Sequence, residues 1–141
     1  MSKGFSGLFA GLAAPARKKK PDFYVGASGK TALAKHKRWI GKSKRDKLLR
    51  SAHHPRLKSA INQLYRKGAF IGDGGTASAV KFERATGLGL GKNGGTHEKK
   101  AAEMAIHLRK LINSGGLSNS DKKLAKTLEK ALLLALGWKK Q

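Results

Sequence analysis

Two long amphipathic runs at the C-terminal end set the limits on what this chain can fold into. From Thr96 onward, Ala101, Met104, Ala105, Leu108, Leu111 and Ile112 recur at the three- and four-residue steps that line one face of a helix. Lys99, Glu103, His107 and Lys110 fall mostly off that face. Gly115-Gly116 stop the run. Ser118 or Ser120 then offers a helix cap, Asp121 stands in the first turn, and Leu124, Leu128, Ala131, Leu132 and Ala135 form a second apolar stripe ending at Gly137. Two such stripes joined by a short glycine break bury most apolar surface against each other. The expectation is an antiparallel helix pair holding most of the core, widened by Leu132-Leu133-Leu134 and covered by Trp138.

The preceding residues read as shorter helices between turns. Thr31 caps a short helix through Ile40, ended by Gly41, with Leu33 and Ile40 inward and Lys35, Lys37 and Arg38 outward. Ser43 with Asp46 is a variant capping box opening a helix through Ala52. Pro55 suits the first turn of the next, with Leu57, Ile61, Leu64 and Tyr65 at helical spacing and Gly68 as its stop. His53 and His54, between these helices, read as capping or solvated, and His107 as a helix-surface residue. A further helix-like run spans Ala77 to Thr86. Only 23–25 and 69–71 offer short strand-like pieces, so the predicted class is mainly α.

Charge limits the partners. The 141 residues carry 31 Lys+Arg against 8 Asp+Glu, a net charge of +23, an imbalance that folding does not require and that self-repulsion opposes. A polyanion is the natural counterpart, and most of the excess lies before Gly72. There is no cysteine, the five histidines lack the spacing of a metal motif, and no run is apolar enough to span a membrane. No cofactor is expected. Residues 1–21 read as a flexible basic tail. Phe5 to Ala14 followed by Ala14-Pro15-Ala16 copies the outline of a secretory signal, but Gly7, Gly11 and the Arg17-Lys18-Lys19-Lys20 run depart from it. Residues 22–141 form the domain, with basic leading helices in 22–54 and the core in 55–137.

The chemistry centres on Ile71-Gly72-Asp73-Gly74-Gly75-Thr76-Ala77, a glycine-rich turn with one isolated acid at a helix start. A second glycine pair, Gly94-Gly95, precedes Thr96-His97 at the next helix. Two nucleotide-binding motifs are decoys. Gly26-Ala27-Ser28-Gly29-Lys30-Thr31 lacks the first P-loop glycine, Tyr24 standing there, and Gly72-x-Gly74-x-x-Ala77 lacks both the returning strand and the ribose-binding acid of a dinucleotide fold. The working expectation is that Asp73 and His97 face each other across a phosphate-binding cleft, with unpaired amides at Gly95 and Thr96 and the cations Lys92, Lys99, Lys100 and Arg84 as phosphate contacts, Thr76 beside them. RNA cleavage gives such a pair work: a 2′-hydroxyl must lose a proton, the leaving 5′-oxygen must gain one, and the phosphorane needs cationic stabilisation. Lys44, Arg45, Lys47, Arg50 and Arg66 would form the RNA-binding basic surface.

Ile61-Asn62-Gln63-Leu64-Tyr65-Arg66, the turn Ile71 to Ala77, Glu83 with Thr86-Gly87, Gly94-Gly95-Thr96-His97 and the two C-terminal helices together resemble the C-terminal toxin domains of bacterial polymorphic toxins, nearest to the contact-dependent growth inhibition type. The resemblance covers about residues 55–137. It implies a compact helical nuclease domain, with an α+β ribonuclease-toxin fold as the alternative. It also implies an endoribonuclease that cuts tRNA near the anticodon without metal, with Asp73 and His97 catalytic. Such a toxin is delivered from the producer cell, acts in the target cytoplasm, is held by a cognate immunity protein expected to be acidic, and in some cases needs a host activating factor. Ser78 and Lys81 depart from the residue types expected there. Such domains normally end a much longer protein, so a chain starting at Met1 reads as a fragment or a free-standing cargo toxin. Two other functions account for parts of the sequence: a non-catalytic nucleic-acid-binding protein, from charge alone, and a membrane-active bacteriocin, from Phe5 to Ala14 and the leucine-rich last helix.

Overall fold

The structure, a computed structural model, describes residues 37–138. The tail of 1–21, the 23–25 strand piece and the start of the Thr31 helix lie outside the described residues. Five α-helices follow one another: α1 (Arg45–Ser51), α2 (Pro55–Leu64), α3 (Thr76–Thr86), α4 (Glu98–Asn113) and α5 (Asn119–Leu136), with 3-10 turns at Lys37–Trp39 and Lys92–Gly94. No strand occurs among the described residues. The protein is mainly α.

Helices α4 and α5 pack against each other along their lengths. Ala101, Met104, Ala105, Leu108, Leu111 and Ile112 from α4 meet Ala125, Leu128, Leu132, Ala135 and Leu136 from α5, all buried. Each fully buried leucine contributes on the order of 2 kcal/mol in transfer free energy. The caps agree with the sequence: Ser118 Oγ accepts the N–H of Asp121 at 3.2 Å, and Gly137, in the left-handed region, closes the far end. Trp138 does not fold back as a cover. Its backbone N–H is tied to Leu133 O at 2.9 Å, which closes the helix, while the side chain is 60% exposed.

Helices α2 and α3 complete the core with Leu57, Ala60, Ile61, Leu64 and Val80. Helix α2 stops at Leu64 and not at Gly68, because Tyr65 turns extended to form an isolated antiparallel bridge with Gly75. Of the helix expected to run through Ile40, the described residues form a 3-10 turn at Lys37–Trp39. Trp39 and Ile40 are drawn onto the central turn: Gly72 N–H donates to Trp39 O at 2.7 Å, Gly41 N–H donates to Phe70 O at 2.9 Å, and Ile40 bridges to Ile71. The Trp39 indole meets buried Phe82 edge-on, ring centres 5.6 Å apart. At α1, Ser43 Oγ accepts Arg45 N–H at 3.2 Å, but Asp46 pairs with Arg45 and does not close a capping box.

Asp121 does more than begin α5. Its carboxylate, 1% exposed, accepts the N–H of His54 at 2.8 Å and that of His53 at 3.1 Å, with the His53 ring 3.4 Å away. This fastens the α1–α2 junction to the start of α5. His54 in turn caps α2, its Nδ1 accepting Arg56 N–H at 3.1 Å. Burial pushes the Asp121 carboxyl up, but the N–H groups of His54 and His53 and the His53 ring outweigh it and leave the group below its ordinary range.

Candidate functional site

The central turn is built by its one acid. Gly74 adopts φ +83°, which a residue with a Cβ rarely does, and its N–H closes the turn on Ile71 O at 2.9 Å. Asp73 Oδ1 accepts the Gly75 N–H at 2.9 Å and the Ser78 hydroxyl at 2.8 Å, while Oδ2 accepts the Tyr65 hydroxyl at 3.0 Å. Burial of the Tyr65 phenol, reinforced by the Asp73 charge and their hydrogen bond, raises it well above its ordinary value and keeps it neutral. Thr76 begins α3 with its hydroxyl donated to Leu64 O at 3.1 Å. The Asp73 carboxylate and the Thr76 hydroxyl thus pin the start of α3 to the end of α2.

His97 sits at the cap position of α4, yet its side chain caps nothing. Its partner is Glu83, fully buried on α3. Glu83 Oε1 accepts the His97 N–H at 2.7 Å, and Oε2 accepts the Leu90 N–H at 2.9 Å while lying 2.8 Å from His97 Nδ1. A proton on Nδ1 donated to the carboxylate leaves Nε2 with a free lone pair, so this contact selects the tautomer in which Nε2 is the base. Gly89 makes the intervening loop feasible: a Cβ there would lie 1.9 Å from Gly94 O.

The two helix starts share one cleft of about 450 Å³. Gly74, Gly75 and Thr76 line it from the central turn, Leu90, Gly91, His97 and Lys100 from the loop and α4, and Arg66 from beyond α2. The His97 side chain keeps 23% of its surface exposed. Lys100 follows His97 by three residues, about one helical turn. Burial lowers the Lys100 ammonium below its ordinary value, and the Arg66 guanidinium lowers it further. Two cations therefore share this cleft with the imidazole.

Several expected site residues are elsewhere. Asp73 does not face His97: its carboxylate is spent on Tyr65, Gly75 and Ser78, and no hydrogen bond joins the two among the described residues. At the second expected anion site α4 starts at Glu98, and the N–H of His97 is taken by the Glu83 carboxylate, an anion from within the chain. Gly95 O accepts the Gly91 N–H at 2.7 Å, Thr96 and Lys99 are exposed outside the cleft, and Lys92 opens the 3-10 turn. Arg84 points away and donates to Ala135 O at 3.3 Å and to Leu136 O, capping the end of α5. On the basic surface, Lys44, Lys47, Arg50 and Arg66 are exposed. Arg45 is not free, since its guanidinium donates to Asn62 Oδ1 at 2.7 Å and ties α1 to α2.

Glu83 is the residue to which the sequence alone assigned no chemistry. Its signal was legible: Thr76, Val80 and Glu83 share one helical stripe, and an acid on the apolar side of a helix must find a buried partner. Among the described residues no three His, Cys, Asp or Glu side chains gather as a metal site requires, and no helix is long and apolar enough to cross a membrane. Neither a protein-family model nor a curated protein nor a solved structure matches this chain.

Proposed function

We propose that this chain is an endoribonuclease of the antibacterial toxin kind, cleaving tRNA near the anticodon by transesterification without metal. The observation that carries the reading is the His97 imidazole, held at Nδ1 by buried Glu83, in a cleft that also holds Lys100 and Arg66. Two cations kept together with no acid between them repel each other, and a phosphate relieves that repulsion. In this reading the 2′-hydroxyl loses its proton to His97 Nε2 as its oxygen attacks phosphorus. Glu83 stabilises the imidazolium that forms. Arg66 and Lys100 take up the charge on the phosphorane oxygens. The P–O5′ bond then breaks, and the Lys100 ammonium, made more acidic by burial and by Arg66, gives its proton to the departing oxygen. The products are a 2′,3′-cyclic phosphate and a 5′-hydroxyl. Asp73 is a positioning residue that fixes the glycine wall of the cleft.

The toxin context, the choice of tRNA and an acidic immunity protein rest on the resemblance of the turn, the Gly-Gly-x-His segment and the C-terminal helix pair, together with the net charge of +23. An acidic inhibitor fits because complementary charge speeds its association and a body over the cleft excludes RNA. Delivery from a producer cell and action in the target cytoplasm belong to the same proposal.

The test is digestion of total bacterial tRNA in EDTA by the wild-type chain and by His97→Ala, with fragment ends mapped chemically. Discrete fragments ending in cyclic phosphate from the wild type alone are expected. Intact tRNA with the wild type, persisting after Mg²⁺ and cell extract are added, overturns the enzyme reading and leaves a nucleic-acid-binding protein.

A further inference from the structure

The outer face of α5 carries a second cationic surface, away from the acids that would neutralise it. Lys122, Lys123, Lys126 and Lys130, with Asn119 and Thr127, line a groove of about 320 Å³. Lys123, Lys126 and Lys130 are exposed. Only two acids stand on this helix, and both are engaged elsewhere: Asp121 with the His53 and His54 amides, Glu129 with the Arg109 guanidinium at 2.8 Å. None of the four lysines has an ion-pair partner among the described residues. Such a row repels itself, and the helix tolerates it at a cost of a few tenths of a kcal/mol for each close like-charge pair.

We propose that this groove is a docking surface for the phosphate backbone of RNA, separate from the cleft that holds His97. Lys122, Lys126 and Lys130 rise along the helix in steps of about 6 Å, comparable to the spacing of successive phosphates along a strand. Lysine ammonium groups on flexible stems, with an amide and a hydroxyl beside them, suit a sequence-independent polyanion better than a shaped ligand. The surface holds the body of the substrate while the cleft acts on one phosphodiester. That the polyanion is RNA rests on the ribonuclease reading.

The experiment uses the full chain carrying His97→Ala, so that RNA stays intact, and measures binding to total bacterial tRNA across a series of salt concentrations. In that background, Lys122→Gln, Lys126→Gln and Lys130→Gln together should reduce the slope of log affinity against log salt by about 2–3 and weaken binding roughly tenfold near physiological salt. A control triple, Lys58→Gln, Lys81→Gln and Lys110→Gln, removes equal charge from exposed positions outside the groove and should leave the slope nearly unchanged. Equal slope changes in the two triples overturn the proposal, reducing the groove to general charge. An unchanged slope in the first triple also overturns it, leaving an acidic protein as the surface's partner. The two readings fail separately: tRNA cut by the wild type with no slope change sinks the docking surface alone, and a slope change without cutting sinks the enzyme alone. Thermal melting of both triples confirms that the helices remain folded.

Discussion

Glu83 and His97 are joined twice, the carboxylate receiving the backbone N–H of His97 at 2.7 Å and its ring Nδ1 at 2.8 Å. One buried acid therefore both begins α4 and orients the imidazole. Glu83→Gln keeps the shape but puts an amide N–H where an acceptor is needed. The expectation is a fall in kcat of about 10- to 1,000-fold with KM little changed, against a loss of about 10²–10⁴ for His97→Ala. Imidazole nitrogen NMR separates positioning from mere support: wild type should show neutral His97 protonated at Nδ1, and Glu83→Gln a mixture of tautomers. An unmixed tautomer in the variant would remove the orienting role.

Asp73 and Tyr65 hold the central turn and contribute no group to the cleft. Asp73→Ala should destabilise the fold by about 1–3 kcal/mol, since it leaves the Gly75 N–H and two hydroxyls without their acceptor. Tyr65→Phe should cost about 1 kcal/mol. Where both variants are folded, activity should stay within tenfold of wild type. Urea denaturation with cleavage assayed on the same samples checks this, and a fully folded but inactive Asp73→Ala would return Asp73 to the chemistry.

Arg84 is a helix cap. Arg84→Ala should lower stability by about 1 kcal/mol by freeing the carbonyls of Ala135 and Leu136. The salt dependence of tRNA binding should not change. A slope reduced by about 1 would mark a phosphate contact instead.

Asp121 makes stability depend on acid. Its folded-state value lies below that of the unfolded chain, so its contribution is complete above the ordinary Asp value of about 3.9 and is lost as pH falls through the folded value. Asp121→Asn should therefore be less stable than wild type at pH 7, and the gap should narrow at pH 3. Urea midpoints for both proteins at the two pH values measure it; a gap that widens in acid contradicts the clasp.

Gly89 is a steric requirement for delivering His97. In Gly89→Ala the new methyl would collide with Gly94 O, so the loop must shift. Helical circular dichroism should persist while cleavage falls by about 10²-fold, the scale expected when a catalytic group is misplaced by about 1 Å.

The sequence alone was enough for the helical class and for the α4–α5 pair with its buried faces and caps. Those properties follow from local periodicity and glycine stops, which need no knowledge of distant contacts. It also marked the two glycine-rich helix starts and named His97. Which acid meets that histidine depends on contacts across the fold. Asp73 and Glu83 are both acids within reach along the chain, and the choice depends on α3 turning Glu83 inward while Tyr65 and Ser78 claim Asp73. The early end of α2 and the inward duty of Arg45 and Arg84 have the same origin. In each case a backbone or side-chain group that local spacing leaves free finds a partner distant in sequence, and a buried hydrogen bond left unmade costs more than a turn of helix gains.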